Sequence, residues 1–492
     1  MSKDLSRREF LRWSMVGSAA LVLASCAPKP TPTPPPKVEE KVVEKEAEPT
    51  KAEEKVQLRY QSRHGGGPVG KRLWAAFFEY FYDKNPNVEV EWLVRPEGDQ
   101  AENILSQMVA GDGPDVYQLC CWQTTFFIQQ GQALNLQPYI NRDAEEVDID
   151  DFYSQQFVPW ILNGDIHFMP YYTGTMVLYY NKDMFDEVGV DYLPSEWGEL
   201  SFDEYRETCA KFVVREKPLR WGTSNYGQGA NWLTQYWLRG FGANMVDPND
   251  PDASLLCKPE ALECLEHIRQ MIHEEKSFAQ GAEMGGVGVH QFFNNKSIAM
   301  MEMGSWGLSE CLTGAAHVEA IEAPGTDWLD FVWDLAPMWT GAGGKMTHQS
   351  VDGQGVWSQT PHPEESWQLC KEVASAEFEM LNITVGDGMQ PSRKSVMPFY
   401  VDALRKQWPI LEEVHLEVMA EAMTQDIPGP EEMFNNDKLC KDQILKPAFD
   451  LVFLENKAPV ELICEHSKVV AKFNKGEIGV EDIGGELAKI RV

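Results

Sequence analysis

Trp306 stands between glycines in Met303-Gly304-Ser305-Trp306-Gly307, directly after the apolar run from Ser297 to Met303. A bulky ring in such a turn has little local core to fill and is available to a ligand. A flat aromatic can cover the apolar C–H face of a sugar ring while carboxylates and amides satisfy its hydroxyl rim. Trp122 follows the predicted strand D-V-Y-Q-L by three residues, at the carboxyl end where open sheets hold ligands, with Gln118 and Gln123 beside it. Trp232, in G-A-N-W-L-T-Q, begins a predicted helix. Arg63, His64 and Gly65-Gly66-Gly67 end the first predicted strand, where glycines let backbone N–H groups approach a ligand. Glu302 precedes the Trp306 turn and could face either way. These side chains suit non-covalent recognition.

Covalent chemistry finds no comparable support. Met303 to Gly307 only approaches G-x-S-x-G, no H-E-x-x-H occurs, and Gly344-Lys345-Met346 lacks the Ser/Thr and spaced glycine of a phosphate loop. Paired carboxylates could serve an extracytoplasmic glycosidase or lyase, but among 76 acidic residues they discriminate nothing. The reading is a protein that is not an enzyme, with no cofactor and no metal.

The elements that must position these residues follow from periodicity. Val56 to Gln61 alternates as a strand. Val69 to Tyr82 is helical, with Leu73, Phe77, Phe78 and Phe81 on one face, and Asn85-Pro86-Asn87 breaks it. Val88 to Val94 is a strand, Asp99 to Ala110 a helix, and Asp115 to Leu119 a third strand. This β-α-β-α-β order implies a parallel sheet wrapped by helices. His167 to Tyr180 is one long extended stretch. Helices are predicted over Asn181–Val188, Ser201–Val214 (Ser201 and Glu204 forming a capping box), Pro259–Glu275 and Pro363–Ala376. Ser297–Met303 and Gly353–Ser358 read as strands, and the tail from Val401 is mostly helical.

The N-terminus carries S-R-R-E-F-L-R at 6–12, a short apolar run and L-A-S-C at 23–26. A twin arginine, a run too short to span a bilayer and small residues before a cysteine form an export signal over residues 1–25. The ending resembles a bacterial lipobox, which implies a lipid on Cys26 and an extracytoplasmic protein held at the cell membrane. Residues 26–55 follow as a Pro/Lys/Glu-rich tether with no aromatic residue, a composition that cannot bury a core. The whole chain of 492 residues carries −33, and removal of the signal's net +2 leaves about −35. This excludes nucleic acid and disfavours strongly anionic solutes. Nine cysteines remain after Cys26, an odd number without a disulfide-scaffold or zinc spacing. The neighbours Cys120 and Cys121 read either as two small buried thiols or as a vicinal disulfide at a pocket rim.

Six phrases in order resemble the family 1 extracellular solute-binding proteins of ABC importers, the maltose-binding protein superfamily. They are A-G-D-G-P-D-V at 110–116, G-Q-A-L-N-L-Q-P-Y-I at 131–140, M-P-Y-Y-T-G-T-M-V-L-Y-Y-N-K-D-M-F at 169–185, L-P-S-E-W-G-E-L at 193–200, N-N-K-S-I-A-M at 294–300 with G-S-W-G after it, and Q-P-S-R-K-S-V at 390–396. The fourth departs from the usual P-x-T-W but keeps its tryptophan. The resemblance implies an α/β, two-lobed periplasmic-binding-protein-like fold of type II, each lobe a mixed sheet flanked by helices. The N-terminal lobe would take 56–170 plus 353–390, and the C-terminal lobe 171–352 plus 391–492. Three hinge crossings would lie near Pro170–Tyr172, His348–Gly353 and Asp387–Arg393. In relatives the tryptophan matching Trp306 stacks on sugar. Tyr172 at the first crossing, His348, Gln349 and Asp352 at the second and Arg393 at the third become candidates, Arg393 either for ligand or for clamping the lobes. The implied function is capture of a solute, most plainly a carbohydrate, and its delivery by a monomer to ABC permease subunits. A peptide, polyamine or glycerol phosphodiester ligand, or service to a sensor, remains the alternative.

Overall fold

The computed structural model describes residues 55–63, 66–94, 99–225, 227–281, 283–308, 329–425 and 432–490. The signal, Cys26, nearly all of the tether and His64 lie outside them. The chain enters through β1 (Val56–Gln61), α1 (Pro68–Lys84), β2 (Val88–Leu93), α2 (Gln100–Val109), β3 (Val116–Cys120) and α3 (Cys121–Gln129). Here β1 pairs in parallel with both β2 and β3, as the β-α-β-α-β order requires. The Asp99 carboxylate caps α2, accepting from the N–H groups of Ala101 and Glu102.

The long strand β4 (Met169–Asn181) is buried along its whole length. The chain continues through α4 (Phe202–Lys211), β5 (Trp221–Ser224), α5 (Trp232–Gly240), α6 (Pro259–His273), β6 (Phe278–Ala279), β7 (Ile298–Gly304), β8 (Trp333–Ala336), β9 (Gln349–Val356), α7 (Pro363–Val373) and α8 (Ala376–Val385), with α9 (Glu461–Asn474) near the end. The strands form one sheet in the order β6-β5-β7-β4-β9-β3-β1-β2, with β8 also on β4. Its outer wings are parallel, and its centre is antiparallel.

β4 changes partners along its length. Met169 to Thr175 pair with β9, and from Met176 onward the strand pairs with β7 and β8. The cores divide at the same place. One takes its residues from 58–172 and 351–389, and two others take theirs from 176–346 with 434–483 and from 177–335 with 383–423. Trp306 packs against all three.

Two differences from the sequence reading have physical reasons. The strand expected over Gly353–Ser358 instead spans Gln349–Val356, because Gln349 to Asp352 find backbone partners in Tyr172 to Thr175 and their polar side chains are buried there. Spacing also gave no hint of the disulfide between Cys257 and Cys464, which closes a 207-residue separation and ties the loop before α6 to α9. Such a bridge contributes about 2–4 kcal/mol by restricting the unfolded chain. Among the described residues no helix is long and apolar enough to cross a membrane.

Candidate functional site

The site grows from the end of β7. After Gly304 the chain folds back, and the Ser305 N–H donates to the Thr175 carbonyl at 3.0 Å. This lays the Trp306 indole over two glycines. A Cβ on Gly174 would sit 2.8 Å from the ring, and one on Gly304 would sit 2.1 Å from it. Neither position tolerates a side chain while the ring stays, so the two glycines form the bed of a half-buried indole.

Trp232 supplies the next ring, 6.1 Å from Trp306 and steeply inclined to it. It opens α5, whose start is fixed by Asn231: that carboxamide oxygen accepts from the N–H groups of Leu233 and Thr234 at 3.0 and 3.3 Å. His348 lies over Trp232 at 4.9 Å, and its carbonyl accepts from the Met176 N–H. Tyr236, one turn along α5, completes the group at 5.9 Å from Trp232 and 6.4 Å from His348.

Beneath these rings lies Glu302, fully buried on β7. Its carboxylate accepts from Tyr205 Oη at 2.6 Å, Asn225 Nδ2 at 2.7 Å, Tyr236 Oη at 2.7 Å and Trp237 Nε1 at 3.0 Å. Burial raises its pKa, and the four donors pull in the opposite direction. Glu302 therefore faces inward and sets the position of α5, which carries Trp232.

A second cluster lies beside the first on the central strands. Arg63 Nε meets the fully buried Asp352 at 2.6 Å, its Nη1 donates to Gln123 Oε1 at 3.1 Å, and its backbone N–H donates to Gln118 Oε1 at 2.9 Å. Tyr171 Oη donates to Asp352 at 3.4 Å. Burial works most strongly against the guanidinium charge, but Asp352 together with Cys120, Tyr172 and Tyr171 outweighs it and the Arg63 pKa is raised. Asp352 is in register with Cys120 on one side and Tyr172 on the other. Tyr172 and Gly174 are two apart on β4 and so share a face about 7 Å apart. The ion pair thus borders the bed of Trp306.

The structure brings Trp306, Trp232 and His348 into one group and Arg63, Asp352 and Tyr172 into its neighbour. Gln118 is fully buried and acts through the backbone of Arg63. Trp122, in the first turn of α3, is 45% exposed. Arg393 stands apart. Its Nε donates to the Ala374 carbonyl at 2.7 Å, Nη2 to the Val147 carbonyl at 3.0 Å and Nη1 to Asp151 at 3.1 Å, and its guanidinium lies 4.1 Å over Phe152. These contacts engage all three guanidinium nitrogens of Arg393 within the fold. Sequence reasoning missed Gly174, Tyr171 and Tyr236. An isolated glycine inside a strand pattern marks close approach by another group, and Gly174 carried that signal.

The segment around Arg393 also holds a titratable group. Glu379 on α8 is buried and accepts from the backbone N–H groups of Ser392 and Arg393 at 3.0 and 3.1 Å and from the Ser392 hydroxyl. Burial lifts its pKa from 4.5 to about 7. The folded chain keeps this proton to about pH 7, whereas the unfolded chain loses it near 4.5. Stability from this group is therefore highest at low pH and falls as pH rises through that window, by on the order of 2–3 kcal/mol. Glu379→Gln should remove that part of the pH slope. Urea unfolding of both proteins between pH 4.5 and 7.5 (about half a unit beyond the window) checks this, and parallel slopes would refute it.

Among the described residues no group of His, Cys, Asp and Glu is arranged to hold a metal ion. What the site offers is clustered aromatic area beside a buried ion pair and amides, a surface for holding a solute.

Residues 66–380 match the family model of bacterial extracellular solute-binding proteins. A binding protein of Brucella abortus is 24% identical over 331 residues, covering 65% of this chain and 73% of the relative. An arabinooligosaccharide-binding protein of Halalkalibacterium halodurans is 26% identical over 275 residues, 53% of this chain and 55% of its own. Among solved structures, an ABC substrate-binding protein of Listeria monocytogenes in complex with cycloalternan superposes with a TM-score of 0.70 at 20% identity, over 85% of this chain and 99% of that one. The fold is thus the two-lobed α/β architecture of such binding proteins. With the family model covering well over half of its length, the chain belongs to the bacterial extracellular solute-binding proteins.

Proposed function

We propose that this protein captures a carbohydrate between its lobes and presents it to the permease of an ABC importer. The observation that carries the reading is the Trp306 indole held on Gly174 and Gly304 beside Trp232, with Arg63 and Asp352 on the adjoining strand positions. Aromatic faces suit the C–H faces of a sugar, and the polar pair and amides suit its hydroxyls. The binding of arabinooligosaccharide and cycloalternan by similar proteins supports it. The protein works by binding and closure without bond chemistry, the ligand favouring the closed state through its differential affinity. We assign 56–170 plus 353–390 to one lobe and 171–352 plus 391–492 to the other, a division that the separate cores support. Lipidation of Cys26 after export would hold the protein at the outer face of the membrane through the tether 26–55.

The test is tryptophan fluorescence and thermal melting of residues 56–492 against mono-, oligo- and pentitol sugars. A saturable shift and a raised melting temperature with one sugar class are expected. A response confined to peptides, polyamines or phosphodiesters would keep the family and overturn the ligand.

A further inference from the structure

Cys120 ends β3 and Cys121 begins α3, so the two thiols stand where the strand hands over to the helix that carries Trp122 and Gln123. Their sulfurs are 3.9 Å apart, and neither is in a disulfide. Cys120 Sγ also lies 3.9 Å from Ser350 Oγ on β9, and Cys120 is in register with Asp352, the partner of Arg63. Arg63 is close enough to Cys120 for the two to interact electrostatically, and Tyr172 interacts with both cysteines. The pair is therefore built into the polar half of the site. Both cysteines are buried, at 5% and 1% exposure, as are the free thiols Cys209, Cys264, Cys370 and Cys440, whose pKa burial pushes up.

We propose that Cys120 and Cys121 are an oxidisable vicinal dithiol, and that their oxidation resets the ligand site. The co-reactant is a disulfide of the extracytoplasmic space. One thiolate attacks it, forming a mixed disulfide and expelling one thiol. The second cysteine thiolate then attacks its neighbour's sulfur, expelling the other thiol and closing the Cys120–Cys121 bond. The pair loses two electrons and two protons, and the co-reactant is reduced to two thiols. Closing from 3.9 Å to a bond of about 2 Å must move the peptide that joins β3 to α3. That peptide precedes Trp122 and Gln123, and Gln123 Oε1 accepts both from Arg63 and from the Cys120 N–H. Oxidation therefore shifts the Arg63 contact and the surroundings of Trp122. This holds whatever solute the protein carries.

The experiment takes the full chain, treats it with the azo oxidant diamide, and denatures it in N-ethylmaleimide before digestion and mass spectrometry. Tryptophan emission is followed throughout, with Cys121→Ser in parallel. The expected result is a peptide bearing both cysteines that is unlabelled and lighter by two hydrogens, and that takes two labels once reduced. An emission change that dithiothreitol reverses and that Cys121→Ser lacks should accompany it. Two maleimide labels on that peptide after diamide would overturn the proposal. So would a closed bond whose emission equals that of the reduced protein. Neither readout uses a sugar, so failure here is separate from failure of the carbohydrate reading.

Discussion

Trp306→Ala is expected to weaken binding of the responding sugar by about 100-fold while leaving the protein folded. The ring is half-buried before any ligand arrives, seated on Gly174 and Gly304 and edged by Trp232. A pre-positioned aromatic loses little conformational freedom on binding, so most of the area it buries against a sugar is kept as affinity. Large aromatics in such positions carry about 2 kcal/mol or more of binding free energy each, and about 2.7 kcal/mol is a hundredfold in affinity. Gly304→Ala should act through the same ring without removing it. Its Cβ would lie 2.1 Å from the indole, so the ring must leave its bed. Titration calorimetry of the wild type and both variants, with thermal melts to confirm folding, checks this. Affinity within threefold of wild type in Trp306→Ala would show that the ring is core and not site.

Much of this arrangement was legible in the sequence because local rules and tertiary packing agree. Asp99, Ser201 and the glycine-flanked Trp306 announced helix starts and a turn, and the structure uses each that way. What was not legible lies in contacts between distant segments. Nothing local tells that His348 covers Trp232, that Gln118 turns inward to hold the backbone of Arg63, or that Cys257 meets Cys464. Arg393 shows the limit well. Its place in Q-P-S-R put it near a crossing, but only the fold reveals Asp151 and the carbonyls that occupy its guanidinium. The early start of the strand expected over Gly353–Ser358 has the same origin: polar residues at 349–352 look like loop until β4 supplies their partners.

Glu302→Ala should cost about 5 kcal/mol of stability and also weaken sugar binding, although Glu302 does not face the ligand. The carboxylate is the common acceptor of four buried donors from α4, α5 and the residue after β5. Removing it strands all four, each at about 1–3 kcal/mol less whatever relaxation recovers. Glu302→Gln is not a neutral replacement. A carboxamide keeps one oxygen and brings an NH2 group into a ring of donors, so it should lose about half as much as the alanine variant. The binding effect follows from Tyr236 and Trp237, which anchor α5 to Glu302 while Trp232 at the head of that helix stands in the site. A control separates position from stability. Ile298→Ala on the same strand is buried in a different core and should destabilise by about 2–5 kcal/mol with affinity unchanged. Urea unfolding and sugar titration of the three variants decide the matter. If Glu302→Gln and Ile298→Ala lose stability alike and neither loses affinity, Glu302 holds the fold together but does not aim Trp232.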